Sequence, residues 1–450
     1  MTKNKIDDLR DKIDNLDDKI LSLLDERSQI VNEIGKFKDK SRGVIDTSRE
    51  QLVLDRLLKN LKGYYSKDSI VRIWRELFHA SSQLQAISDS EILAKRGIEN
   101  IQIYTGGKSI VEGQSDVIKL SSNENALEPS ANVYKIVQKE NSLHRYGEIS
   151  GQSLRTQLSK IHSIKDDQIV LGNGSNEILL MSALAFCHPS DEIIHSKYAF
   201  EMYSIITKIV GAVSVFAEEV NYKVSVDSII KNITASTKVI FIDNPNNPTG
   251  TYLNKNDLNK LLSNVPKNVI VIIDGAYAEY VENGNYDNGF DLIKRFDNIV
   301  ITRTFSKVYG LAGIRLGWCY TSKKIASILN KVKPPFNVNT IALQMASVAL
   351  QDVQHLNRVI SENKRNREWF EEELKKLNIK CLPSASNFTF LECNQNSDMA
   401  EKIHNILLQN GIIVRQLHSY GLPHCLRITI GTREEMEKTI NVLVKANLSS

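Results

Sequence analysis

Apolar residues keep a strict seven-residue beat from Ile6 to about Lys40. Ile6, Ile13, Ile20 and Ile34 fill one heptad position, and Leu9, Leu16, Leu23, Ile30 and Phe37 fill the other. With no proline or glycine before Gly35, this predicts one helix of about 35 residues, on the order of 50 Å long at 1.5 Å per residue. A loop at 42–47 leads to a second helix over 49–61, with Leu52, Val53, Leu57, Leu58 and Leu61 inward. Ser66 or Ser69 can cap a third, whose stripe is Ile70, Ile73, Leu77, Ala80, Leu84 and Ile87. One long and two shorter helices cannot bury so long a seam alone, so the pattern predicts a dimeric helical bundle.

The period changes after residue 88. Short apolar runs at 168–171, 192–195, 238–243, 269–273 and 299–302 alternate with amphipathic stretches, which predicts an α/β domain with a mainly parallel sheet. A long polar helix over 358–377 and short strands near 387–391 and 427–430 predict a smaller α+β lobe. The expected organisation is a helical domain at 1–90, a connector at 91–113 and a second domain at 114–450. Within the last, a large part spans about 130–340, and a lobe from about 345 is joined by the N-terminal segment.

Composition narrows the function class. A formal charge of +4 over 450 residues is close to neutral, so neither nucleic acid nor a membrane surface is expected as partner. The five cysteines are scattered without metal-ligand spacing, and read as reduced thiols of a cytoplasmic protein with no metal site. The charged first dozen residues lack the apolar core of a signal peptide, and no run approaches a membrane span.

Candidate chemistry gathers around Lys307, just past the β-branched run at 299–302, where loops carry the chemistry of open α/β sheets. A lysine amine held there can link covalently to an aldehyde cofactor. Ser306 and Arg315 are types that hold a phosphate dianion, and the turn Gly172-Asn173-Gly174-Ser175-Asn176 opens a helix whose free N–H groups form a second anion site. Asp274 ends another buried run and could pair with a pyridinium nitrogen, although aspartate is also a common turn former. Tyr277, and the turn from Asn244 to Gly250, could contact a ring oxygen. Arg427 sits inside an apolar strand, where a charge is costly unless paired, and a substrate carboxylate suits its fork.

In order and type, Asn123-Glu124-Asn125, Arg145-Tyr146, Gly174-Ser175-Asn176, Asn244 to Gly250, Asp274 to Tyr277, Ser306-Lys307, Arg315 and Arg427 resemble the histidinol-phosphate-aminotransferase-like branch of fold-type-I pyridoxal phosphate enzymes. The resemblance covers roughly residues 95 to 446. It implies pyridoxal 5'-phosphate as cofactor, with Lys307 forming the covalent link and later shuttling the proton, and Asp274 holding the ring nitrogen. It implies Asn247 and Tyr277 on the phenolic oxygen, and Phe200 stacked on the ring. Gly174, Ser175, Ser306 and Arg315 would hold the phosphate, Asn176 would belong to the cofactor site beside them, and Asn125 and Arg427 would bind substrate. Tyr146 would be lent to the neighbouring subunit's cofactor, which implies a homodimer. Two positions depart from the pattern. Gly147 stands where proline is common, which is expected to loosen the loop near the substrate, and Gly275 stands where glutamate is common.

Arg27 breaks the isoleucine beat of the first helix. A guanidinium in an apolar seam should face an anion, although a single polar residue can also merely set register. Arg10, Lys38 and Arg49 supply further cations, Glu50 a hydrogen-bond partner, and Ser81 and Gln85 share one helix face. Together they could line a pocket for a dicarboxylate. Residues 5–90 resemble the all-helical, type II class of chorismate mutases. That resemblance sends Arg10 across the dimer, places Arg27, Lys38, Asp46, Arg49, Glu50, Ser81 and Gln85 in the home site, and puts Lys38 and Gln85 on the ether oxygen. The expectation is a bifunctional enzyme of aromatic amino acid biosynthesis. It would rearrange chorismate to prephenate and transaminate prephenate, phenylpyruvate or 4-hydroxyphenylpyruvate with glutamate as donor. The competing expectation is a histidinol-phosphate aminotransferase with the helical domain as a regulatory or aromatic-ligand sensor.

Overall fold

A computed structural model describes residues 2–37, 47–86, 95, 97–98, 101–103, 116–138, 144–393 and 395–446. The chain forms two compact units, residues 1–99 and 100–450.

The first unit is helical: α1 (Thr2–Phe37), α2 (Thr47–Asn60) and α3 (Lys67–Ala86). The Ser66 hydroxyl accepts the Ser69 N–H at 3.1 Å, which caps α3. Both α1 and α2 pack on α3. Among the described residues of this unit, the buried apolar side chains are Val31, Leu54 and Phe78. Among the described residues the heptad positions of α1 stay largely uncovered: from Ile6 to Ile34 they are 47 to 64% exposed.

In the second unit the strands run in chain order as β1 (Ile118–Leu120), β2 (Ile169–Gly172), β3 (Glu192–Ser196), β4 (Val213–Ala217), β5 (Glu219–Val220), β6 (Lys223–Val224), β7 (Thr237–Asp243), β8 (Ile270–Asp274), β9 (Ile299–Thr304), β10 (Gly317–Thr321), β11 (Lys380–Leu382), β12 (Phe388–Glu392), β13 (Ile412–Leu417) and β14 (Leu422–Thr429). Seven of them form a sheet in the order β2-β10-β9-β8-β7-β3-β4. Only β10 runs against its neighbours, pairing antiparallel with β2 and β9. Helices cover both faces, which is why these strands are continuous apolar runs rather than alternating ones. Along β8 and β9, Val271, Ile273, Ile299 and Ile301 enter one core, while Ile270, Ile272 and Val300 enter the other.

The smaller sheet has the order β1-β13-β14-β12-β11, with β1 parallel to β13 and the other pairs antiparallel. The N-terminal segment thus supplies an edge strand to the C-terminal lobe. One face of this sheet packs on the helices Val353–Lys376, Ser397–Gln409 and Arg433–Lys445 through Leu374, Leu407 and Met436. Val414, Leu426 and Ile428 point into that core. The two-residue period of a strand therefore turns Arg415 and Arg427 to the opposite face.

Candidate active site

The sheet ends of β7, β8 and β9 open on a cavity of about 260 Å³, lined among others by Asn123, Ser175, Asn176, Phe200, Asn247, Asp274, Tyr277, Ser306, Lys307, Arg315, Arg415 and Arg427. Lys307 donates from Nζ to the carbonyls of Ser122 at 3.2 Å and Asn123 at 2.9 Å. Desolvation, then the charge of Arg427, push its amine down to about 7. An amine that is neutral near physiological pH can act as nucleophile and base, as an exposed lysine cannot.

Asp274 ends β8 with its carboxylate buried. Thr302 Oγ1 donates to its Oδ1 at 2.7 Å and the Tyr203 hydroxyl to its Oδ2 at 3.2 Å. Burial raises its pKa against these bonds. The Tyr277 hydroxyl accepts from Asn123 Nδ2 at 2.9 Å, which leaves its own proton for another acceptor. Burial pushes Tyr277 up to about 12, so it stays a phenol.

The anion cradle is built from backbone. Gly174 precedes the helix Ser175–Phe186 at φ 82° and ψ 163°, a conformation open to glycine alone. A Cβ there would lie 2.4 Å from Arg315 Nη2, and a Cβ on Gly317 would lie 2.4 Å from the Ser175 nitrogen. Arg315 Nη1 donates to Ser306 Oγ at 3.2 Å and to the Ala312 carbonyl at 2.9 Å. A helix N-terminus, two hydroxyls and a guanidinium thus gather in the lining of the cavity, the donor set a phosphate dianion takes.

Arg415 and Arg427 face each other in register across β13 and β14. Like charges directly opposite are unfavourable, so the pair needs anions. Glu201 supplies one to Arg415 at 3.3 Å. Arg427 donates to Asn247 Oδ1 at 2.5 Å and to the Ser121 carbonyl at 2.8 Å, and its buried Nε has no acceptor among the described residues. That orphaned donor suits an incoming carboxylate. The cavity therefore fits pyridoxal phosphate: an amine for the aldehyde, a buried carboxylate, a dianion cradle and a guanidinium with a donor to spare line the same space.

Some expected residues sit elsewhere. Asn125 does not line the cavity. Its Nδ2 donates to the Val308 carbonyl at 2.9 Å and its Oδ1 accepts the Leu127 N–H at 3.0 Å, so it fastens the loop next to Lys307. Asn123, held at φ 52°, is the asparagine that faces the site. Tyr146 lies outside the cavity lining, 83% exposed and stacked on Phe336 at 4.4 Å. Gly147 is tight rather than loose, because a Cβ would come within 2.3 Å of Thr340 Oγ1. At Gly275 the space of a side chain is taken by Arg303, whose Nη1 lies 2.0 Å from a built Cβ and donates to the Thr302 carbonyl. Tyr203, Thr302 and Arg415 carry no recognisable spacing. Asn123 lies in the Asn123-Glu124-Asn125 motif, where the sequence favoured its neighbour, and Asp243 ends an apolar run as Asp274 does.

In the helical unit, Arg27 Nη1 donates to Ser81 Oγ at 2.5 Å, joining α1 to α3. Ser81 in turn donates to the Leu77 carbonyl. Arg10 is exposed beside Asp7 at 3.3 Å, Arg49 is exposed and Glu50 half-buried at the start of α2. Lys38 and Asp46 lie outside the described residues, as does the side chain of Gln85.

The model of the class I and II aminotransferases matches residues 115–443, and that of type II chorismate mutases matches 9–86. Histidinol-phosphate aminotransferases of Roseobacter denitrificans and Pelagibacter ubique are 38% and 41% identical over 357 and 345 residues. These matches cover 79% and 76% of this chain, and 98% and 96% of those proteins. Among solved structures, the histidinol-phosphate aminotransferase of Sinorhizobium meliloti in complex with pyridoxal-5'-phosphate superposes with a TM-score of 0.71 at 21% identity, over 75% of this chain and 92% of that one. At that identity the likeness concerns the fold. The chain thus belongs to the class I and II aminotransferases, pyridoxal phosphate enzymes, and carries a type II chorismate mutase domain ahead of that catalytic domain in the same polypeptide.

Proposed function

We propose that the aminotransferase domain moves the amino group of glutamate to an aromatic-pathway 2-oxo acid: prephenate, phenylpyruvate or 4-hydroxyphenylpyruvate. The mutase domain would feed it by turning chorismate into prephenate. The observation that carries this reading is the mutase domain in the same chain. The paired Arg415 and Arg427 agree with it, since glutamate and prephenate each present two carboxylates.

In this account Gly174, Ser175, Asn176, Ser306 and Arg315 hold the cofactor phosphate, Asp274 the ring nitrogen, Asn247 and Tyr277 the phenolic oxygen, and Phe200 one ring face. Bound there, the cofactor supplies an electron sink for the substrate's α-carbon. Arg427 orients the α-carboxylate through its two-pronged fork, which aims the α-hydrogen at Lys307. Lys307 Nζ takes that proton and delivers it to the other carbon of the exchange, a role its lowered pKa suits. Asn123 and Tyr277 bring a fixed donor to an oxygen without rearrangement.

The mutase step needs no nucleophile. Arg27, with Lys38, Arg49 and the partner copy's equivalent of Arg10, would clamp the two carboxylates in the compact conformer and stabilise the charge on the ether oxygen. The exposed apolar stripe of α1 supports a second copy of this chain as its cover, because a 36-residue helix with such a stripe is not a stable solvent-facing surface.

The test is a comparison of kcat/KM for the three 2-oxo acids as acceptors from glutamate with that for histidinol phosphate as amino donor to 2-oxoglutarate. The proposal expects an aromatic-pathway acid to be preferred. Preference for the phosphate ester would instead assign this chain the activity its relatives are named for.

A further inference from the structure

Strand β7 ends, like β8, in an aspartate, and the register sets Asp243 directly opposite Asp274. Asp274 has a place in the chemistry above, whereas Asp243, equally buried and also lining the cavity, has none. Its carboxylate accepts three N–H groups. Oδ2 takes the Asn247 backbone N–H at 2.9 Å and the Phe200 backbone N–H at 3.3 Å, and Oδ1 takes Asn246 Nδ2 at 3.0 Å.

The turn after β7 does not need this carboxylate to close. The Asn246 N–H already donates to the Thr251 carbonyl at 2.8 Å, the Gly250 N–H to the Asn246 carbonyl at 2.9 Å, and the Thr249 N–H to Asn246 Oδ1 at 3.1 Å. What the bonds at Oδ2 add is a link between two separate loops. Asn247 belongs to the turn after β7, and Phe200 to the segment between β3 and the helix Met202–Val210. A buried carboxylate is expensive, and one spent on such a link fixes a distance.

We propose that Asp243 is a positioning residue of the aminotransferase site, a clamp that sets the spacing between Phe200 and Asn247 and so the width of the slot that receives the cofactor ring. Because Asn247 Oδ1 also holds Arg427 Nη1, the same clamp keeps the carboxylate-binding guanidinium in step with the ring slot. Asp243 acts through these neighbours and takes no proton from substrate. The inference rests on the cofactor assignment, and is independent of which 2-oxo acid is the acceptor.

The experiment uses the full chain stripped of cofactor, with Asp243→Asn and Asp243→Ala beside the parent. Pyridoxal phosphate affinity is measured by equilibrium dialysis, and glutamate KM and kcat are measured separately. The asparagine oxygen, in the place of Oδ2, can still accept both backbone N–H groups and gives up only the bond from Asn246 Nδ2 within the turn, so D243N should bind cofactor within about threefold of the parent. D243A leaves both unpaired, and should weaken cofactor about tenfold or more and raise glutamate KM with it. Parental affinity in D243A overturns the clamp. So does a loss in D243N as large as in D243A, since charge rather than acceptor geometry would then be what the site uses. Should D243A fail to fold, Asp243→Ser takes its place: its hydroxyl is too short to reach both loops, so a loss of cofactor affinity of about tenfold supports the clamp and parental affinity refutes it. Mutase turnover reads the other domain and stays unchanged in both.

Discussion

Replacing Gly174 with alanine tests the phosphate cradle at the point where the geometry is least forgiving. The new Cβ would lie 2.4 Å from Arg315 Nη2, closer than such atoms approach, so the guanidinium must swing away from Ser306. The residue must also keep φ 82°, which costs a non-glycine residue about 1–3 kcal/mol. A displaced Arg315 forfeits its charge-assisted hydrogen bonds to the phosphate, about 1.5–3 kcal/mol, so pyridoxal phosphate affinity should fall about 10- to 100-fold. The assay is titration of the cofactor-free protein with pyridoxal phosphate, followed by the cofactor's absorbance. Gly313→Ala is the control, because its Cβ meets nothing within 4 Å. If Gly174→Ala bound pyridoxal phosphate as tightly as Gly313→Ala does, Gly174 and Arg315 would not form the cradle.

Lys307 gives a pH signature. Its amine titrates near 7 in the folded protein against 10.5 as a free side chain, so between these values the unfolded chain binds more protons and stability must rise with pH. Urea unfolding of the cofactor-free protein should show a gain across pH 7 to 10.5, on the order of a few kcal/mol, that Lys307→Met lacks. Arg27→Ala should lower mutase kcat about 100- to 1000-fold while transamination is kept, measured by chorismate loss and by glutamate turnover in the same preparation. Mixing Arg10→Ala with Arg27→Ala after subunit exchange should restore about a quarter of parental mutase activity, since half the dimers would be mixed with one intact site of two. No recovery would place Arg10 outside the partner's site. Ile13→Glu together with Ile20→Glu should abolish mutase turnover by charging the α1 stripe, again with transamination intact.

What the sequence made legible follows from which forces are local. The five apolar runs became β2, β3, β7, β8 and β9 within a residue or two, because buried parallel strands need apolar side chains on both faces. The heptads of α1 were readable because a seven-residue beat places its apolar residues on one helix face whatever covers them. Strand β10 was not, since Gly317 to Thr321 is a short run with no element assigned to it from the sequence, and its antiparallel place depends on β2 and β9. In the site, Lys307, Asp274, Tyr277 and Arg427 stand at strand ends or as charges among apolar neighbours, and so announce themselves. The choice between Asn123 and Asn125 could not be made without a backbone, because one at φ 52° turns its amide to Tyr277 and the other serves the loop. Tyr203 sits in an ordinary amphipathic helix, and its bond to Asp274 is set by packing across the sheet. Arg415 gains its meaning only from the register that puts it opposite Arg427.

The central claim, that one polypeptide carries chorismate toward an aromatic amino acid, is tested most directly by giving the purified chain chorismate, glutamate and pyridoxal phosphate and identifying the aminated product. The account predicts that prephenate forms and that an aromatic-pathway 2-oxo acid is aminated, either prephenate at once to arogenate or phenylpyruvate or 4-hydroxyphenylpyruvate when supplied. Prephenate accumulating with none of the three acids aminated, while histidinol phosphate is turned over rapidly, would contradict it.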